Sequence, residues 1–100
     1  MALRIEWSIE AKENLSHIIH YLEVKWTERE VRKFVRTLEE QLEIISKTPF
    51  IYKKSQRMDG TRECLLSKHN SLLYVFNEDA LYIVTIWDNH RDPKKMRTEL

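Results

Sequence analysis

The chain has 100 residues, 42% of them hydrophobic and 33% charged, with a formal net charge of +1. That length fits a single domain over 1–100 with one two-layer core, and excludes a second domain or a deep cofactor cleft. The composition is that of a globular protein rather than a disordered one, and the small net charge excludes global attraction to a polyanion.

The longest apolar runs, LLYVF at 72–76 and ALYIV at 80–84, fall far short of the ~20 residues of a membrane-spanning helix. Arg4 and Glu6 interrupt the opening MALRIEW, so no signal peptide is expected. Cys64 is the lone cysteine, which rules out an internal disulfide and cysteine-based zinc sites and suits a reducing cytoplasm.

In chain order, Leu3, Ile5 and Trp7 alternate with Arg4 and Glu6, the period-two pattern of a half-buried strand over 3–7. Ser8 follows as a helix cap. Glu10 falls in the first turn, where the positive end of the helix dipole favours a carboxylate. Ala11, Leu15, Ile18, Leu22 and Trp26 then recur at spacings of three and four, with Ile19 widening the stripe, so one face of this helix is apolar. Tyr21 and Trp26, beside that stripe, are read as core packing rather than as base-stacking surfaces. His17 and His20 have no recognisable third ligand and are read as surface or packing residues.

Thr27 and Glu30 fit the Thr-x-x-Glu pattern of a capping box. Val31, Phe34, Val35, Leu38, Leu42 and Ile45 carry a second helix to Lys47, and Pro49 stops it. So short a link makes the two helices an antiparallel hairpin.

Residues 50–60, which contain the one glycine, read as a loop. RECLL (62–66), SLLYVF (71–76) and LYIVTIW (81–87) read as strands, with Asn77, Glu78 and Asp79 as the tight turn joining the last two into an antiparallel hairpin. In 81–87, Tyr82, Val84 and Ile86 alternate with Leu81, Ile83 and Trp87. Apolar on both faces, this strand is expected at the centre of the sheet, with the helices over one face and something covering the other. The order β-α-α-β-β-β gives an α+β fold: an N-terminal helical hairpin packed on an antiparallel β-sheet.

Charge is unevenly placed. Residues 47–70 hold Lys47, Lys53, Lys54, Arg57, Arg62 and Lys68 against Asp59 and Glu63, a net +4, whereas residues 1–50 carry a net −1. Such a patch can hold phosphates, and it can equally be solvated surface.

At this point the residues resemble a known family. The opening strand, Ser8 and Ala11 as S-x-x-A, then Leu15, Ile18, Tyr21 and Trp26, resemble the start of RelE/ParE superfamily toxins of bacterial type II toxin–antitoxin modules. Phe34, Leu38, Leu42 and Ile45 to Pro49 match the second helix of that pattern. The run from Arg62 to Tyr74 and the later I-x-x-I-W-D-N-x-x-D-P-K-K look like its plasmid-stabilisation branch. The resemblance covers almost the whole chain. It implies a small cytoplasmic toxin neutralised by a cognate antitoxin, with no cofactor and no metal. It leaves two mechanisms open: RelE-like cleavage of mRNA on the ribosome, or ParE-like poisoning of DNA gyrase without hydrolytic chemistry. An inactive homologue retained as an antitoxin-binding module is a further alternative.

RNA cleavage needs a base, an acid and cations around the phosphate. The strand that carries an arginine in RelE-like enzymes has Ser71 or a neighbour in its place, no tyrosine follows Tyr82, and Met96 lies near the place of the C-terminal aromatic. Histidine can substitute, because it exchanges protons near neutral pH. His69 precedes strand 71–76, and His90 and Arg91 follow strand 81–87. An antiparallel hairpin therefore brings them to one sheet end with Lys68. His69, His90 and Arg91 are the candidate catalytic residues; Lys53, Lys54, Arg57, Arg62 and Lys68 are the candidate RNA- or phosphate-binding residues.

Overall fold

The computed structural model describes residues 2–90; Arg91, one of the candidate catalytic residues, lies outside them. Strand β1 (Arg4–Trp7) leads into helices α1 (Ile9–Lys25) and α2 (Glu28–Lys47), followed by β2 (Arg62–Ser67), β3 (Asn70–Phe76) and β4 (Ala80–Asp88). The strands form one sheet in the order β1-β4-β3-β2. β2–β3 and β3–β4 are antiparallel, as expected. β1 joins the far side of β4 in parallel, so the complete sheet is mixed and β4 is central.

Ser8 begins α1 as its spacing predicts: its Oγ accepts the Ala11 N–H at 2.9 Å and donates to the Val84 carbonyl at 2.6 Å. One hydroxyl thus caps the helix and ties its start to the central strand. Thr27 behaves differently from the capping-box expectation. Its side chain makes no cap hydrogen bond, and the Glu30 N–H goes instead to the Thr27 carbonyl at 3.0 Å. Trp26 and Tyr21 also depart from the expected core packing. They are 58% and 55% accessible, Trp26 standing at the C-cap of α1.

Ala11, Phe34, Leu38 and Ile45 of the helices meet Cys64, Leu66, Leu72, Tyr74, Leu81, Ile83 and Ile86 of the sheet in one buried cluster. Each fully buried aliphatic side chain there contributes about 1.5–3 kcal/mol relative to exposure. The positions on β4 do not alternate as the simple strand pattern predicts. Leu73 faces Thr85 and Tyr74 faces Ile83, so Val84 is an extra, bulged residue. A bulge advances the pleat by one, and this places Ile86 in the same core as Leu81 and Ile83 rather than opposite them. On the sheet's other face Leu73 is buried, while Leu65 and Tyr82 are 60% and 37% exposed.

Asn77 shapes the β3–β4 turn, its Oδ1 accepting the N–H groups of Asp79 and Ala80 at 2.8 and 2.9 Å. Gly60 takes a positive φ of 84°, open to glycine without strain, just before the chain enters β2. The loop it closes is pinned to the sheet edge by an isolated bridge between Lys54 and Arg62.

Candidate functional site

The antiparallel register of β3 and β4 pairs Asn70 with Asp88. Continued by one step, that register sets His69 opposite Asn89, whose N–H donates to the His69 carbonyl, and His90 follows in the turn just beyond, so both histidines stand at one sheet end. His69 Nδ1 and His90 Nε2 lie 2.9 Å apart, with ring centroids at 5.0 Å and planes tilted by 33°. Both rings are exposed. A neutral imidazole has one N–H and one lone pair, so one ring donates to the other and the pair carries an acid and a base side by side.

The surrounding backbone is held by local bonds. Ser67 Oγ accepts the His69 N–H at 3.1 Å, and the Asn89 N–H goes to the His69 carbonyl at 2.8 Å. Asp88 Oδ1 accepts the His90 N–H at 2.9 Å. Asn89 Oδ1 in turn accepts from the buried Ser71 hydroxyl at 3.0 Å. Ser71 thus braces the strand end that carries His90.

The pair borders a groove of about 1230 Å³ between the helical hairpin and the sheet end, lined among others by His17, Tyr21, Trp26, Lys33 and Lys68. Asn14 of α1 also reaches into this wall. Its Oδ1 accepts the Thr85 hydroxyl and the Ile86 N–H, fixing the helix to β4 beside the bulge. From the sequence Asn14 carries no role, and Asn89 enters only as part of the W-D-N motif; Lys33, which its spacing puts with the solvated outer face of the second helix, lines the groove. The available signals were a poor helix former inside an apolar stripe and a polar Asp-Asn break at a strand end.

The other predicted phosphate ligands are elsewhere. β2 carries the chain across the whole sheet, from Arg62 opposite Tyr74 to Ser67 opposite Asn70. At about 3.4 Å per residue the two ends of β2 are roughly 17 Å apart. Lys68 alone among the five joins the histidines; Lys53, Lys54, Arg57 and Arg62 belong to the opposite end. Two of those four are engaged internally. Arg57 Nε bonds both carboxylate oxygens of Glu63 at 3.2 and 3.1 Å, while Arg62 donates to the Tyr52 carbonyl at 2.7 Å and lies 5.2 Å over the Phe50 ring. Lys53 and Lys54 are exposed.

Cys64 is fully buried and its thiol faces Gln41 Oε1 at 3.4 Å. Burial pushes the thiol up to about 12, so no thiolate nucleophile forms there near neutral pH. Among the described residues no group of three or more His, Cys, Asp or Glu side chains could hold a metal ion. None of their helices is long and apolar enough to cross a membrane.

A family model described as "ParE toxin of type II toxin-antitoxin system, parDE" matches residues 5–93, nearly the whole chain and all of the elements just described except the first residue of β1. The chain belongs to the ParE toxin family. Solved structures carry the same fold as this ParE-family chain. The chromosomal ParDE toxin–antitoxin system from P. aeruginosa superposes with a TM-score of 0.71 at 18% identity, covering 87% of this chain and 96% of that one. The YoeB dimer from Staphylococcus aureus gives 0.61 at 17% identity, with 85% and 94% covered. The E. coli DinJ–YafQ toxin–antitoxin complex gives 0.59 at 10% identity, with 90% and 96% covered. Comparison with curated proteins gave no match. At such identities the structural likeness carries the fold, and the family match carries the membership.

Proposed function

We propose that this ParE-family toxin arrests growth by cleaving mRNA on the ribosome and is held in check by a cognate antitoxin. The observation that supports cleavage is the 2.9 Å convergence of His69 and His90 on the rim of the groove. In this reading the neutral imidazole takes the proton from a ribose 2′-hydroxyl as its oxygen attacks the adjacent phosphorus. The protonated imidazole gives a proton to the departing 5′-oxygen, leaving a 2′,3′-cyclic phosphate and a free 5′-hydroxyl. Lys68 supplies positive charge beside the phosphate, and Arg91 is the further cation that this reading assigns to the site. The antitoxin reading draws on the ParDE system and the DinJ–YafQ complex named above, and on the exposed Tyr21 and Trp26 along the groove.

A second reading, inhibition of DNA gyrase without catalysis, is favoured by the ParE description of the matching family and by the distance between the His pair and four of the five expected cations. The two readings are separated by assaying the purified protein against translating ribosomes and, in parallel, against gyrase supercoiling. Cleavage that disappears in His69→Ala and His90→Ala supports the first; supercoiling inhibition unchanged by both substitutions sinks it.

A further inference from the structure

We propose that His69 and His90 form a two-imidazole chelate for a divalent transition-metal ion of the Zn²⁺ type, a site that is independent of which target the toxin attacks. Three observations carry it. First, Nδ1 of one ring and Nε2 of the other point at each other across 2.9 Å. A zinc ion bound through nitrogens at about 2.0–2.1 Å in tetrahedral geometry needs its two nitrogens about 3.3 Å apart. Small rotations of two exposed rings supply that difference.

Second, the chelate is preorganised. The Ser67, Asn89 and Asp88 bonds described above already fix both backbones, so little ordering remains when a metal replaces the bridging proton. Third, the rings are reachable: both are exposed at the mouth of the groove. No third protein ligand stands with them among the described residues, so water or a solute completes the coordination shell. Imidazole donors select the Zn²⁺, Cu²⁺ and Ni²⁺ class over Mg²⁺, which takes oxygen. A bound ion would occupy both lone pairs, so neither ring could act as a base, and each would keep only the N–H on its other nitrogen.

The test is titration of tag-free protein with Zn²⁺ by calorimetry, with Mg²⁺ as the competing ion. The expected result is one equivalent bound in the micromolar range and not displaced by Mg²⁺. Affinity should fall by roughly tenfold or more in both His69→Ala and His90→Ala, and stay unchanged in the double variant His17→Ala/His20→Ala. Circular dichroism on each variant verifies folding, and His69→Asn, whose amide stands near the place of Nδ1, provides a second probe of the same position. Absence of binding, equal affinity in either single alanine variant, displacement by equimolar Mg²⁺, or loss confined to the His17/His20 variant each overturns the proposal.

Discussion

Asn14 and Thr85 meet across 71 positions of sequence: the Thr85 hydroxyl donates to Asn14 Oδ1 at 2.8 Å, and the same oxygen takes the Ile86 N–H at 3.0 Å. Thr85 is only 4% exposed, so water cannot freely replace the lost partner. Asn14→Ala is expected to destabilise the fold by about 1–3 kcal/mol. Alanine's better helix propensity returns only about 0.7 kcal/mol, which leaves the net effect a loss. Urea unfolding of the two proteins measures it, and an unchanged midpoint would remove Asn14 from the scaffold.

The His pair makes the opposite prediction. Both rings are exposed and outside the core, so His69→Ala and His90→Ala should shift stability by no more than about 0.5 kcal/mol. If the pair transfers protons, ribosome-dependent cleavage falls by roughly 10²–10⁴-fold in each variant. Cleavage rates measured on variants with wild-type melting curves decide the matter.

Alkaline pH should weaken the fold through Cys64 and Tyr74. Burial raises the Cys64 thiol from 9.0 to about 12. Burial, and then the neighbouring Cys64, raise the Tyr74 phenol from 10.0 to about 12. Both groups are held protonated in the folded state and released in the unfolded one. Their contribution is therefore complete below about pH 9 and is lost as pH rises towards about 12. Urea midpoints should fall between about pH 8 and about pH 10.5, and Cys64→Ala should flatten that fall. The same burial predicts a thiol that resists alkylation until the chain unfolds.

Arg57 and the Lys53–Lys54 pair should separate structure from surface. Arg57 and Glu63 are each 25% exposed, and Ser55 also donates to Glu63. Arg57→Gln is expected to cost about 1 kcal/mol by loosening the loop on β2. Lys53→Ala/Lys54→Ala should leave stability within about 0.5 kcal/mol, and RNA retention on filters then reads any phosphate contact without a folding artefact.

Much of this arrangement was legible in the sequence, for identifiable reasons. Ser8 is followed by a clean helical stripe, and Pro49 marks the end of α2, so local chemistry and tertiary structure agree there. His69 and His90 flank a hairpin whose turn is set by Asn77, and antiparallel pairing predicts that they share a sheet end, while the turn after Asp88 brings His90 towards His69. The bulge at Val84 left no trace, because Val, Thr and Ile all suit a strand and no glycine marks the shift. The separation of the cations was hidden for a different reason. Lys53 through Lys68 are near one another along the chain, yet an extended β2 spends that nearness on crossing the sheet. Trp26 misled because the helical stripe reaches it just as α1 ends: it is the C-cap, with extended backbone rather than helical, and the stripe's facing no longer applies.

The placement of β1 beside β4 bears on how the chain is made. Parallel pairing joins Arg4–Trp7 to Ala80–Ile83, and the Ser8–Val84 bond spans 76 residues. The N-terminal strand therefore has no partner until Ala80–Ile83 has left the ribosome. Non-local pairings of this kind also slow folding. A nascent or truncated chain lacking β4 would hold the helical hairpin without the sheet end that carries His90, so the folded groove becomes available only after β4 has emerged.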